Sequence, residues 1–310
     1  MTSLEKAIIT PIIYYDLLDR PLTALEIFKY LPAVKPEVSF FQIQQTLASS
    51  DWLAERIKTR QGLYFLKKRD GLLALRGDRL KLSQLKWKKL RTLVKRLALV
   101  PFLKLVAVTG SLTAYNTQPS SDFDLLVVAQ SDRLWTARTF LTALTAMLGI
   151  RRHGRATRDR LCLNCYLTQA GLEIKHAAKP HDFHSAQEYG RMTPVLEIAD
   201  GLYQQFLTQN SWLKDFLAVY PWSNFIGAKK ITPSPFLGIL RRIAEWLLGD
   251  RIGERLEKTF GRWQGQRIRL KNENQPDDQI YTSSTCLMFH PHSKSYQLLQ
   301  VFNQRLASLI

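Results

Sequence analysis

Cysteine is scarce in this chain, with three in 310 residues. An odd, low count excludes a disulfide-stapled scaffold and fits a reducing cytosol. Long apolar runs are also missing. The most apolar windows, 97–108 and 139–150, fall short of the roughly 20 residues a membrane-spanning helix needs, and Lys104 interrupts the first. No membrane partner is expected. The stretch Met1 to Lys6 has no basic segment leading into an apolar one, so no signal peptide is expected and the location is read as cytoplasmic. Negative charge is in short supply: 26 Asp and Glu face 44 Lys and Arg, a formal net charge of +18. Such an excess favours a polyanionic partner, such as a nucleic acid, a nucleotide or an acidic membrane surface, without sequence specificity.

Hydrophobic residues make up 45% of the chain, enough for a sizeable core, and the length suits two or three domains. Residues 4–18 have helical apolar spacing. Thr23-Ala24-Leu25-Glu26 is a capping box opening a second helix, and Ser39-Phe40-Phe41-Gln42 repeats the device for a third. Trp52 to Ile57 and Gly62 to Leu66 are two β-prone runs around a polar turn, Lys58 to Gln61. Three helices followed by a hairpin is the order of a winged helix-turn-helix, placed at residues 1–76. Its third helix offers Gln42, Gln44 and Gln45 but no Arg or Lys. Phosphate contacts supply most of the affinity for DNA, so packing or protein contact is the favoured role.

A long basic amphipathic helix is expected over 78–100, with Arg79, Lys81, Lys86, Lys88, Lys89, Arg91, Lys95 and Arg96 around an apolar stripe of Trp87, Leu90, Val94 and Leu97. It leads into a strand at 103–109, a short helix within 111–116, a strand at 123–129, a helix at 134–148 with Asp132 as its cap, and a strand at 161–167. Between the last two lies a loop, Arg151 to Arg160, with five arginines and His153. This alternation describes a small mixed α/β domain, residues 77–180. Beyond it, 181–310 reads as helical, in segments near 183–190, 193–209, 211–219, 236–248, 251–270 and 295–309, with 272–279 as a polar loop. The fold class is therefore α+β.

The chemistry-bearing pattern is Val108-Thr109-Gly110-Ser111, ten intervening residues, then Asp122-Phe123-Asp124-Leu125. A strand ends in Gly-Ser and a helix begins. Gly110 lets backbone amides approach a ligand, the helix start favours phosphate, and Ser111 adds a donor. Asp122 and Asp124 alternate onto one face of a strand. Two carboxylates there repel unless a cation sits between them, and Mg²⁺ prefers one or two carboxylates plus phosphate oxygens. Gly-Ser and Asp-x-Asp together describe a cradle for a metal-bound triphosphate.

In these residues the chain resembles the DNA polymerase β-type nucleotidyltransferase superfamily, over roughly 100–180. It also resembles a family of bacterial nucleotidyltransferase-domain proteins with an N-terminal winged-helix-like segment. The shared features are Tyr14-Tyr15-Asp16, Pro21-Leu22-Thr23, Gly62 to Leu66, Val108 to Leu112, Asp122 to Leu126, Leu161 to Asn164 and Phe289-His290-Pro291. The resemblance implies a polymerase β-like core, triphosphate contacts from Gly110 and Ser111, and Mg²⁺ or Mn²⁺ on Asp122 and Asp124. It implies transfer of a nucleoside monophosphate from an NTP such as ATP to an acceptor hydroxyl on RNA, protein or a small molecule. The alternative is a non-catalytic nucleotide- or nucleic-acid-binding regulator. Two departures from the pattern stand out. Asn164 occupies the place of an expected third carboxylate; it can offer a carbonyl oxygen but not act as a base and is expected to bind nucleotide, with Glu173 as the candidate substitute in catalysis beside Asp122 and Asp124, and Asp159 as a weaker one. Thr113-Ala114-Tyr115-Asn116 replaces the usual Ala-Arg-Gly.

Other clusters carry less. Cys162 and Cys165, with His176 and His181, lie three apart on a strand and should face opposite ways, so no zinc site is expected. Cys286, His290 and His292 read as part of a turn. Trp246, Phe260 and Trp263 have helical spacing and are expected in the core rather than stacked on bases.

Overall fold

The computed structural model describes residues 1–221, 230–274, 279–290 and 295–309. Pro291, His292 and residues 275–278 of the expected polar loop lie outside them.

The N-terminal part runs α1 (Ser3–Asp16), β1 (Leu22–Thr23), α2 (Ala24–Lys29), α3 (Phe40–Ser49), α4 (Asp51–Ala54), β2 (Ile57–Arg60) and β3 (Leu63–Leu66). Both capping boxes form as read, with Thr23 paired to Glu26 and Ser39 to Gln42. The strands make a small antiparallel sheet in the order β1-β3-β2. The hairpin is shifted from expectation. Trp52 belongs to α4, and the polar run Lys58 to Arg60 is itself strand, with exposed side chains. Thr59 and Arg60 pair with Tyr64 and Leu63, leaving Gln61 and Gly62, both at positive φ, as the turn.

The helix α5 (Leu72–Val94), continued by a 3₁₀ turn at Lys95–Leu99, begins six residues earlier than expected and buries the anticipated stripe of Trp87, Leu90, Val94 and Leu97. Two of its cations are not on a solvated face. Lys86 is buried, pairs with Asp159 at 2.6 Å and donates to the carbonyl of Ser121 at 2.8 Å; Arg79 donates to Leu18 O and Asn116 Oδ1. Asp159 thereby becomes a structural anchor, held also by Lys89.

The central sheet follows: β4 (Leu103–Val108), α6 (Gly110–Thr113), β5 (Phe123–Ala129), α7 (Leu134–Met147), β6 (Leu161–Thr168), α8 (Phe183–Gly190), β7 (Thr193–Glu197) and α9 (Leu202–Gln209). Then come α10 (Pro235–Leu247), α11 (Arg251–Asn274), β8 (Gln279–Thr282), β9 (Cys286–His290) and α12 (Ser295–Leu309). The sheet has six strands in the order β7-β4-β5-β6-β9-β8, with β5 and β6 parallel and the other pairs antiparallel.

This corrects the reading of 181–310 as uniformly helical. Thr193–Glu197 is a strand on one side of the sheet, Gln279–His290 forms a hairpin on the other, and 211–219 yields only a 3₁₀ turn at Ser211–Asp215. Pro194-Val195-Leu196 is a short buried apolar run of the kind that periodicity cannot assign. One sheet face packs on α5 and α7 through Phe123, Leu125, Val127 and Tyr166; the other packs on α8 and α9 through Leu126, Val128, Cys165 and Leu167. Asp132 does not cap α7 and has φ 58°. Glu257 of α11 supplies the cap instead, accepting from Trp135 N at 2.8 Å and Thr136 N at 2.7 Å. At the C-terminus, α12 returns to α1, burying Phe302 and pairing Arg305 with Asp16 at 2.7 Å. Among the described residues no helix is long and apolar enough to cross a membrane.

Candidate metal and nucleotide site

Strand alternation places Asp124 on the face of β5 shared by Leu126 and Val128, since Phe123 and Leu125 turn the other way. Asp122, one residue ahead of the strand, comes to the same place. Carboxylate oxygens of both and the Cys162 sulfur all lie within 4.8 Å of one another. Gly110 closes one side. Its φ is +69°, and a Cβ built there would fall 2.5 Å from Asp124 Oδ2. Glycine is required at this position twice over, for the backbone conformation and for the close approach. The short helix α6 begins at Gly110, and the first amides of a helix have no intrahelical acceptor.

The parallel pairing of β5 with β6 sets the far wall. Asp124 stands opposite Cys162 and Leu125 opposite Leu163, but Leu126 stands opposite Cys165. Asn164 is therefore the extra residue of a β-bulge. The bulge re-aims its side chain, so that Asn164 Nδ2 donates to Asp124 Oδ1 at 3.2 Å. It also overturns the expectation that Cys162 and Cys165 face opposite ways. Cys162 meets the aspartates and Cys165 enters the core on that same face of the sheet.

The electrostatics follow from burial. Removal from water, then the neighbouring Asp122 and Glu188, push the Asp124 carboxyl up to about 7, although Arg152 pulls the other way. The Cys162 thiol is pushed up to about 12 by burial and by the two aspartates, and so stays protonated. Arg152, from the arginine-rich loop, donates to Asp122 Oδ2 at 2.7 Å and reaches Cys162 Sγ at 3.5 Å. Its side chain is 44% exposed, so it can swing away without losing buried contacts. The cluster combines two crowded carboxylates with one partly exposed cation.

Glu173 does not join this cluster. It is exposed and follows the far end of β6, where Gln169 N donates to Ala129 O at the opposite end of β5 from Asp124. Leu172 and Ile174 on either side are held in the core through Asn210, which turns Glu173 outward. The acidic residue that sequence reasoning missed is Glu188 on α8. It raises Asp124 electrostatically and pairs with Lys179 at 3.3 Å. Nothing local marks it, because α8 returns to β5 only through tertiary packing. The same helix grips the N-terminal part: His184 Nδ1 lies 2.7 Å from Tyr14 Oη, and Gln187 Oε1 accepts from Tyr15 Oη at 3.0 Å. Tyr14, Tyr15 and the buried Asp16 thus serve to join the two parts. A groove of about 660 Å³ between α3 and the hairpin, lined in part by Leu47, Tyr64 and Lys68, contains none of these residues.

Comparisons with known proteins return no matching family model, no matching curated protein and no matching solved structure.

Proposed function

We propose that the chain is a divalent-metal-dependent nucleotidyltransferase that moves a nucleoside monophosphate from an NTP to an acceptor hydroxyl. The carrying observation is the crowding of Asp122 and Asp124 against the Gly110 backbone at the start of α6. A carboxyl that burial, and then a neighbouring carboxylate, push up to about 7 calls for a cation. The oxygen donors suit Mg²⁺ or Mn²⁺, whereas a protonated thiol suits neither. Asp122 and Asp124 would hold the metal, which would neutralise the triphosphate and acidify the acceptor hydroxyl.

The chain's own groups then have defined tasks. The Gly110 and Ser111 amides and the Ser111 hydroxyl hold phosphate oxygens. Asn164 fixes the rotamer of Asp124. Arg152 exchanges Asp122 for the phosphates when the nucleotide enters. The acceptor hydroxyl oxygen bonds to the α-phosphorus as the bond from that phosphorus to the pyrophosphate oxygen breaks, and the hydroxyl proton passes to water. An RNA acceptor has cationic surface available in the exposed Lys81, Lys88, Arg91, Lys95 and Arg96 of the α5 region. The N-terminal element order and its β1-β3-β2 sheet support a winged-helix reading of that part. The α3 surface, with Phe41 72% exposed beside Gln44 and Gln45, fits protein contact better than phosphate contact.

The test is transfer from labelled ATP, GTP, CTP and UTP onto RNA and protein acceptors with Mg²⁺ or Mn²⁺, with Asp124→Ala alongside. Transfer should fall by about a thousand-fold or more in the variant; transfer indifferent to it would sink the proposal. The second reading, a non-catalytic nucleotide-binding regulator, is favoured by the neutral Asn164 and Cys162 around Asp124. Metal-dependent NTP binding that Asp122→Ala abolishes, without transfer to any acceptor, would select it.

A further inference from the structure

Helix α10 is amphipathic in the unexpected sense. Its polar side faces the protein. Glu245 accepts from Phe102 N at 2.8 Å and pairs with Arg241 at 3.0 Å, while Leu237 packs on the core. Its apolar side faces outward. Phe236, Ile239, Leu240, Ile243, Trp246 and Leu247 are 64%, 48%, 36%, 50%, 78% and 58% exposed, at spacings of 3, 1, 3, 3 and 1. Ile252 and Trp263 on α11 are exposed as well, at 63% and 56%. Trp246 and Trp263, expected in the core, are thus on the surface, while Phe260 is half-buried. A stripe of this size, with inward anchors fixing its direction, calls for an occupant.

The neighbouring charges choose among occupants. Arg242 lies beside the stripe, and after three residues α11 turns outward Arg251, Arg255, Lys258, Arg262, Arg267 and Arg269. Asp250 and Glu254 are the exposed acids of this stretch. A second copy of the chain would bring like-charged helices together, which opposes a symmetric pairing. Nucleic acid would suit the cations, but the stripe is two-thirds aliphatic, and bases stack on aromatic planes rather than on Ile and Leu. An anionic bilayer satisfies both features, since hydrocarbon takes the stripe and lipid phosphates take the arginines. At 13 residues, α10 is about 20 Å long, suited to lying in the interface and too short to span it.

We infer that α10, with the exposed cations of the α11 helix that follows it, is a docking surface for an anionic phospholipid membrane. It holds the protein peripherally at the bilayer by the α10 stripe, separately from the Asp122 and Asp124 site.

The experiment is sedimentation of the full chain with phosphatidylcholine vesicles, with and without phosphatidylglycerol. Binding should be about ten-fold or more stronger with phosphatidylglycerol and should weaken with added salt. Ile243→Asp combined with Trp246→Asp should reduce binding about ten-fold or more at an unchanged melting temperature, because both side chains already face water. Arg255→Glu with Arg262→Glu should remove the preference for anionic lipid. Amide exchange on the wild-type protein gives an independent readout: vesicles should protect α10 and α11 and leave α3 unchanged. Absence of binding to phosphatidylglycerol vesicles overturns the inference. So does self-association, or RNA retention, that depends on Trp246 without any vesicle binding.

Discussion

Two carboxylates in comparable seclusion, one in the N-terminal part and one on the central sheet, are shifted in opposite directions. Burial alone would raise Glu26 of the N-terminal part, but Arg20 and Arg76 on either side hold it down at about 2. Arg20 Nη2 lies 2.6 Å away, Arg76 Nη1 lies 2.8 Å away, and the Thr23 amide completes the set. Asp124 meets the same desolvation with a second carboxylate beside it, and Arg152 reaches Asp122 rather than Asp124 itself. The first group is electrostatically complete and serves the fold. The second is short of counter-charge, and a half-buried pair of carboxylates with that shortfall is an arrangement a cation would complete.

The largest expected effect lies at the complete group. Glu26→Gln leaves two half-to-fully buried guanidinium groups short of their counter-charge and should cost about 3–5 kcal/mol, read as a fall in the urea midpoint. The same pair sets an acid limit. A carboxyl depressed from 4.5 to about 2 contributes stability that is full above pH 4.5 and is lost as pH falls towards 2. Stability measured down that range should decline in the wild type and more weakly in Glu26→Gln. Parallel curves would mean that the pair is not what holds this region.

Gly110→Ala should come next, at about 2–3 kcal/mol. It combines a left-handed conformation, costing about 1–2 kcal/mol for a residue with a Cβ, with displacement of the Asp124 carboxylate. Metal-dependent nucleotide binding should fall with it. Ser111→Ala, at a partly buried residue that already carries a Cβ, should weaken binding without that loss of stability, so equal stability losses in the two variants would remove the close approach from the account.

Much of this was legible in the order of residues. The apolar β-branched run of Phe123 to Ala129 and the capping boxes at Thr23 and Ser39 are local signals, written in adjacent residues. Gly110 and Asp122-x-Asp124 were readable for the same reason: the strand end, the turn and the second strand bring them together with one crossing. Three features were not readable, each because it depends on register or distant packing. The bulge at Asn164 turns that side chain to Asp124 and puts Cys165 on the same face as Cys162, and cannot be read from one strand alone. Glu188 reaches the site on a helix that docks 64 residues downstream of Asp124 in the chain. The outward stripe of α10 obeys the same periodicity as a buried one, so spacing reveals the face but not which way it points.

The smallest effect is the one that separates the two kinds of carboxylate most cleanly. Asp124→Asn keeps an oxygen to accept from Asn164 and removes the charge that the cluster cannot balance. The sign follows from the raised value: a carboxyl at about 7 when folded and 3.8 otherwise keeps its proton in the native state across that interval. Stability therefore falls as pH climbs from about 4 to 7 and levels off above. In chelator, wild-type protein should lose about 1–2 kcal/mol over that range, allowing for water reaching a half-buried group. Asp124→Asn should lack that slope, be the more stable of the two at pH 8, and be inactive in transfer. Mg²⁺ should then stabilise the wild type and leave the variant unmoved, since a ligand stabilises only the state that binds it. A substitution that strengthens the fold and removes the activity marks a charge kept for a ligand. If Asp124→Asn instead weakened the protein at pH 8, Asp124 would belong with Glu26 as a structural partner, and the proposal for the site would lose its principal support.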